Sequence, residues 1–251
     1  MKKRKFSNFI SKYYLNNSGA ESVLIDAGAE DVKTIFVGPE RSMVGFVQLK
    51  EPLELGKLGV FNTLALTKLL SAFNDDDELI ITPNTNSMKM ISSLTIECGN
   101  VRANATLSDT GLIPDNTSDK FDSDNMCLTT EPDIFDVEFK ITSDFIDQFK
   151  RYSSAVDSDI FAFDLQNNVL NLMMNYSENN VNSIKFNKPD AICNTTENFK
   201  LTYRTGPFME VFNANKGIEG FMYISSNSMV KIVFDNPEFK CTYYVFKVNV
   251  N

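Results

Sequence analysis

The 251-residue sequence contains no histidine and no tryptophan. Without histidine it lacks the commonest general base, the usual imidazole metal ligand and any Ser-His or Cys-His catalytic pair. Carboxylate chemistry stays open, but no Asp/Glu pair falls in a recognisable motif, and there is no phosphate-binding loop or dinucleotide fingerprint. The four cysteines, Cys98, Cys127, Cys193 and Cys241, are far apart and form no CxxC pair. Neither a metal site nor a disulfide is expected from them, and the expected compartment is reducing. No cofactor is expected, and the chain does not read as an enzyme. No apolar run approaches the roughly 18–20 residues of a membrane span, so no membrane partner is expected. Met1–Lys5 is positively charged, but the stretch that follows is too polar for a signal peptide. The expected location is cytoplasmic, or the host cytoplasm for a viral protein.

What is present is a soluble globular composition, 43% hydrophobic and 23% charged, with 21 Phe to build the cores. Most of the chain reads as short strands rich in Val, Ile, Phe and Tyr. Examples are Val32–Val37, Met43–Leu49, Ile160–Leu165, Val169–Asn175, Phe221–Ser225 and Met229–Phe234, with turn signals such as Gln166-Asn167-Asn168 between them. Four segments carry helical spacing. Phe6, Phe9, Ile10, Tyr13 and Tyr14 form an apolar stripe, as do Leu66, Leu69, Leu70 and Phe73. Phe145, Phe149, Tyr152 and Val156 form a third, with Thr142 and Ser143 as cap candidates and early acids and late bases that suit the helix dipole. The fourth is short, with Phe208, Val211 and Phe212, and Pro207 at the expected first position.

These helices repeat in pairs. Ser7-Asn8-Phe9-Ile10 recurs as Ser143-Asp144-Phe145-Ile146 at an offset of 136 residues, and Leu70–Asn74 recurs loosely as Met209–Asn213 at an offset of 139. Two matches at nearly one offset, both on helices, indicate a tandem duplication. The expected division is an N-terminal domain over 1–110, a connector over 111–136 and a C-terminal domain over 137–251. The connector region is acidic and poor in apolar pattern, with Asp115–Asp119 and Asp122–Asp124 as its acidic runs.

Charge is unevenly distributed. The helices with their flanks (1–16, 60–73, 142–155 and 206–216) hold nine basic and three acidic residues, against a net charge of −9 for the chain. The remainder therefore carries −15. If the helices share one side, that side attracts phosphates without reading sequence. Helices also carry Lys and Arg simply because one face is solvated, so charge alone does not decide.

In organisation the chain resembles the two-domain DNA sliding clamps, the family of proliferating cell nuclear antigen and of the T-even-like bacteriophage clamp. Ser42–Leu49 looks like the clamp strand that ends in Val-Gln-Leu. Phe61–Asp76 looks like the second clamp helix with its acidic turn. Gly111-Leu112-Ile113-Pro114 is similar to the Gly-Ile-Pro that starts the clamp connector, and Thr242-Tyr243-Tyr244-Val245 to the closing strand. The resemblance implies an α+β clamp fold, two similar domains each with two helices packed on antiparallel sheets, assembling into a homotrimeric ring.

It also implies a function: encircling double-stranded DNA without sequence preference and tethering a DNA polymerase, after opening by a clamp loader. By motif position the DNA-facing residues are Lys5, Lys12, Lys68, Lys150, Arg151 and Lys216. A partner-peptide pocket is implied at Val44, Phe46, Leu112, Ile113, Pro114, Tyr244 and Phe246. Two other classes stay open: a β-rich viral structural or assembly protein forming a ring without DNA, and a carboxylate-dependent hydrolase, which needs converging acids.

Overall fold

The computed structural model describes residues 1–114, 120–122, 125–177 and 182–247. The acidic run 115–119, residues 123 and 124 of the second run, and parts of the expected C-terminal domain (178–181 and 248–251) lie outside the described residues. The chain forms two compact units. Unit 1 comprises Met1–Pro39, Gly45–Thr129 and Asn236–Cys241, and unit 2 comprises Glu40–Val44, Thr130–Asp235 and the described residues from Thr242 onward.

In unit 1, α1 (Lys3–Tyr14) is followed by β1 (Val23–Ala27), β2 (Val32–Val37), β3 (Met43–Leu49) and β4 (Gly56–Val60). Then come α2 (Thr63–Leu70), β5 (Ile80–Thr85), β6 (Ile91–Cys98), β7 (Val101–Thr106) and a small hairpin, β8 (Phe121–Asp122) with β9 (Cys127–Leu128). Two antiparallel sheets result, in the order β3-β2-β1-β4 and β5-β6-β7. Helix α1 exists because its stripe, Phe6, Phe9, Ile10 and Tyr13, is fully covered. Asn62 caps α2 by accepting from the Ala65 N–H at 2.7 Å, which satisfies one of the free donors of the first turn. Strand β4, with glycines at 56 and 59, carries no strand signal in the sequence. Gly59 is required there because an added Cβ would stand 2.5 Å from the Ser108 carbonyl.

In unit 2 the order is β10 (Val137–Ile141), α3 (Ser143–Ala155), β11 (Ile160–Gln166), β12 (Val169–Met174), β13 (Ile184–Asn187), β14 (Ile192–Cys193) and β15 (Phe199–Arg204). After these come α4 (Thr205–Ala214), β16 (Gly220–Ser225), β17 (Met229–Asp235) and β18 (Phe239–Phe246), the last beginning in unit 1. The sheets run β14-β10-β16-β17-β18 and β13-β12-β11-β15. Thr142 caps α3 as expected, accepting from the Phe145 N–H at 3.2 Å. The β11–β12 hairpin turns at Asn167 and Asn168, both at positive φ (50° and 63°), which asparagine tolerates and a tight hairpin requires. Helix α4 begins two residues before Pro207 rather than at it. Proline loses nothing there, because first-turn N–H groups have no intrahelical partner.

The core of unit 2 is an aromatic cluster. Phe208 of α4 sits edge-on to Phe161 (4.9 Å between centroids), and Phe149 of α3 packs edge-on against Phe161 and Phe212 (5.1 and 5.3 Å). Such pairs add roughly 0.5–1.5 kcal/mol each beyond their area burial. The Tyr203 hydroxyl is buried in this cluster with no hydrogen-bond partner among the described residues, and desolvation pushes its pKa up.

Candidate nucleic-acid interface and partner surface

On α1 the exposed residues are Arg4, Asn8 and Ser11, spaced four and three apart on one face. The neighbouring cations are engaged within unit 1. Lys3 pairs with Asp75 at 2.6 Å, Lys5 with Glu51 at 2.6 Å, and the Met1 ammonium lies 3.5 Å from Glu78. The hydrogen bond from Lys5 to Glu51 raises the lysine pKa and draws its charge onto a neighbour.

Lys12 departs from expectation. It is 2% exposed, with its ammonium over the Phe239 ring at 4.9 Å, and burial lowers its pKa. The spacing explains this: Lys12 lies between Phe9 and Tyr13 on the covered side of α1, so it cannot present charge to a phosphate.

On α2, Leu64, Lys68 and Ser71 form the exposed stripe, and Lys68 has no ion-pair partner among the described residues. On α3, Arg151 is exposed and stacks on Tyr152 (5.0 Å to the ring centroid), with Lys150 half-buried beside it. Asp144 and Asp147 are exposed on the same helix, two turns and one turn before Arg151 respectively. Lys216 is exposed just beyond α4. The helix cations left available are thus Arg4, which the sequence reading passed over within its Lys-rich run, with Lys68, Lys150, Arg151 and Lys216.

The expected pocket residues divide between the units. In unit 1, Leu112 is 79% exposed and Ile113 only 4%, and with Pro114 they line an open depression shared with Leu24 and Lys57. Phe46 is 1% exposed and lies under the connector hairpin, its ring 5.6 Å from that of Phe121 and edge-on to it. The connector is therefore partly folded down, with Ile113, Met126 and Leu128 buried. In unit 2, Val44 is 8% exposed, Tyr244 is fully buried and Phe246 is half-buried. The Tyr244 hydroxyl donates to Glu131, which also accepts two bonds from Lys231 at 2.9 and 2.8 Å. Neither Glu131 nor Lys231 belongs to any motif, and no local pattern marks them.

Asp164, 4% exposed, is offset by Lys185 at 3.4 Å and Lys200 at 3.9 Å. That is the usual condition for a buried carboxylate in a structural role. Among the described residues no group of three His, Cys, Asp or Glu side chains is placed to hold a metal ion, and no helix is long and apolar enough to cross a membrane.

No protein-family model matches the sequence, and no curated protein matches it. Solved structures do. A chain in the structure of A. fulgidus PCNA bound to the C-terminal region of FEN-1 superposes with a TM-score of 0.73 at 13% identity, covering 100% of this chain and 98% of that one. Proliferating cellular nuclear antigen from Entamoeba histolytica gives 0.69 at 12% identity, with 99% and 96% covered. The PCNA2-PCNA3 complex from Sulfolobus tokodaii gives 0.66 at 14% identity, with 98% and 97% covered. From end to end, this chain has the mixed α and antiparallel β fold of the PCNA sliding clamps.

Proposed function

We propose that this chain is a DNA sliding clamp, a ring protein that encircles duplex DNA and tethers a polymerase. The observation that carries the reading is the clamp fold over the whole chain, with almost nothing left over on either side of the superposition. The helix faces support it. An acidic protein of net charge −9 keeps Arg4, Lys68, Lys150, Arg151 and Lys216 available on or beside its helices. Such cations attract the phosphate backbone through counterion release, a term that carries no sequence information. Attraction of this kind permits sliding.

Assembly follows from the sheet edges. β7 ends the three-stranded sheet of unit 1 and β13 ends the four-stranded sheet of unit 2. Joining β7 of one copy to β13 of the next extends both sheets, covers two aggregation-prone edges per subunit, and closes as a head-to-tail trimer. The groove between α2 and β7 is lined by Phe61 (64% exposed), Ala65 and Leu69, apolar surface that such a contact would cover. In this reading the chain performs no chemistry. It raises the local concentration of polymerase at the primer end by topological linkage. A clamp loader opens the ring, and partner segments dock with apolar anchors near Leu112, Ile113 and Pro114.

Retention on DNA tests the topology. The protein, loaded onto a nicked circular duplex with a loader and ATP, is expected to stay bound through gel filtration in high salt and to be lost when the circle is linearised. Light scattering is expected to give a mass near three chains that falls towards one on dilution. Retention unaffected by linearisation, or a strict monomer even with loader and DNA, would refute the reading.

A further inference from the structure

The side chain of Glu131 occupies a recess in unit 2 whose chemistry is that of a carboxylate receptor. Both its oxygens accept from the Lys231 ammonium, at 2.9 and 2.8 Å, and Oε1 also accepts from the Tyr244 hydroxyl. The ammonium in turn lies 5.9 Å from the centroids of Phe135, Tyr223 and Tyr244, which wall it in. Lys231 and Glu131 are each 18% exposed, so the pair is largely withdrawn from solvent screening. A cation held among aromatic rings, with a phenol beside it, binds a carboxylate through charge-assisted hydrogen bonds of defined direction.

The ligand now in place is weakly anchored. Residues 130–135 make no backbone–backbone hydrogen bond among the described residues, and Asp133 and Ile134 are exposed. The backbone is anchored from Phe135 on: its carbonyl accepts from the Asn194 side-chain amide at 3.0 Å, the Asp136 carbonyl accepts from the Asn194 N–H at 2.8 Å, and the Asp136 carboxylate accepts from the Ser226 N–H at 2.6 Å. Glu131 is thus a side chain on a short arm, held at its tip by the recess itself. An apolar rim borders it. Phe221 is 48% exposed, with its ring stacked on Tyr223 at 6.3 Å.

We infer that Lys231, Tyr244 and the surrounding rings form a binding recess for an acidic segment of a partner protein, and that Glu131 is a built-in competitor for it. The incoming segment places an Asp or Glu side chain, or a terminal carboxylate, on Lys231 and Tyr244, and rests an adjacent apolar residue on Phe221. Exchange of one carboxylate for another leaves the lysine paired in both the free and the captured states. The attached competitor lowers the apparent affinity by the fraction of time the recess stands open. Binding becomes conditional on a high local concentration of partner. The inference overlaps the proposed clamp function only at Tyr244 and does not depend on ring assembly.

The test uses the full chain and two fluorescein-labelled hexapeptides of leucine and phenylalanine, one with a central glutamate and one with glutamine in its place, followed by anisotropy. The glutamate peptide is expected to bind the wild type weakly and Glu131→Gln about tenfold more tightly, as removal of an attached competitor predicts. The glutamine peptide, and the glutamate peptide on Lys231→Met, are expected to lose that gain. In the wild type, saturating glutamate peptide should speed amide exchange across residues 130–135, a readout that needs no variant. Equal binding of both peptides would leave an apolar partner surface standing and overturn the carboxylate recess. An unchanged affinity in Glu131→Gln, or unchanged exchange in the arm, would overturn the competitor.

Discussion

Replacing Lys12 with methionine separates two roles that the sequence runs together, a cation for DNA and a buried structural side chain. Lys12 is 2% exposed. Desolvation of the buried ion outweighs the interactions that hold it, the Phe239 ring 4.9 Å away among them, since its pKa is lowered on balance. Methionine keeps the unbranched stem, carries no charge, and regains about 0.3–1.5 kcal/mol from sulfur–aromatic contact. Lys12→Met is therefore expected to be neutral to about 2 kcal/mol more stable at pH 7.

The sign of the pH dependence follows from linkage. Burial lowers the folded-state pKa below 10.5, while the charges of Cys241 and Glu238 oppose that shift without reversing it. Between the lowered pKa and 10.5 the unfolded chain binds more protons than the folded one, so this group makes stability rise with pH. The advantage of Lys12→Met is largest at neutral pH and fades towards pH 10.5. Urea unfolding followed by far-ultraviolet circular dichroism at pH 7 and pH 10 measures both effects. A salt titration of DNA binding should be identical for the two proteins. A loss of more than about 2 kcal/mol at pH 7, or a weakened DNA affinity, would refute this assignment of Lys12.

Exposed cations should behave in the opposite way. Lys68→Ala and Arg151→Ala are expected to leave urea midpoints within about 0.5 kcal/mol of wild type, while the slope of log K against log salt falls by about 0.9 for each phosphate contact removed. Tyr203→Phe deletes a buried hydroxyl that has no partner among the described residues, and is expected to stabilise the protein by about 1 kcal/mol in thermal unfolding. Gly59→Ala drives a methyl group to 2.5 Å from the Ser108 carbonyl and should cost about 1–3 kcal/mol by the same assay.

Periodic features were legible in the sequence. All four helices and the strands from Val32 to Phe234 read from it are present, because a covered stripe or an alternating face leaves its period in the residue order. Strand β4 was not legible: its glycines answer to a close backbone approach from Ser108, a long-range contact with no local signature. The candidate site divides along the same line. Lys68 stands out as a lone charge on an apolar helix, and the structure leaves it exposed. Lys12 and Lys5 read as equivalent to it, yet one is covered by Phe239 and the other paired with Glu51, residues 227 and 46 positions away. Glu131, which ends up on Tyr244 of β18, looked like one more acid in an acidic connector.

The membership of Asn236–Cys241 in unit 1 bears on how the protein is made. Phe239 covers Lys12, and the Glu238 carbonyl accepts from the Lys50 N–H at 2.8 Å, so the first unit is closed by a segment that follows the main segment of unit 2 in the sequence. On the ribosome, at about 5–20 residues per second, the rest of unit 1 must wait until residues 236–241 have emerged, after the main segment of unit 2. It spends those seconds as an incomplete sheet. A fragment cut at the unit boundary after Thr129 inherits the same gap permanently, and the two halves of this duplicated chain are therefore not interchangeable modules but partners in one folding event.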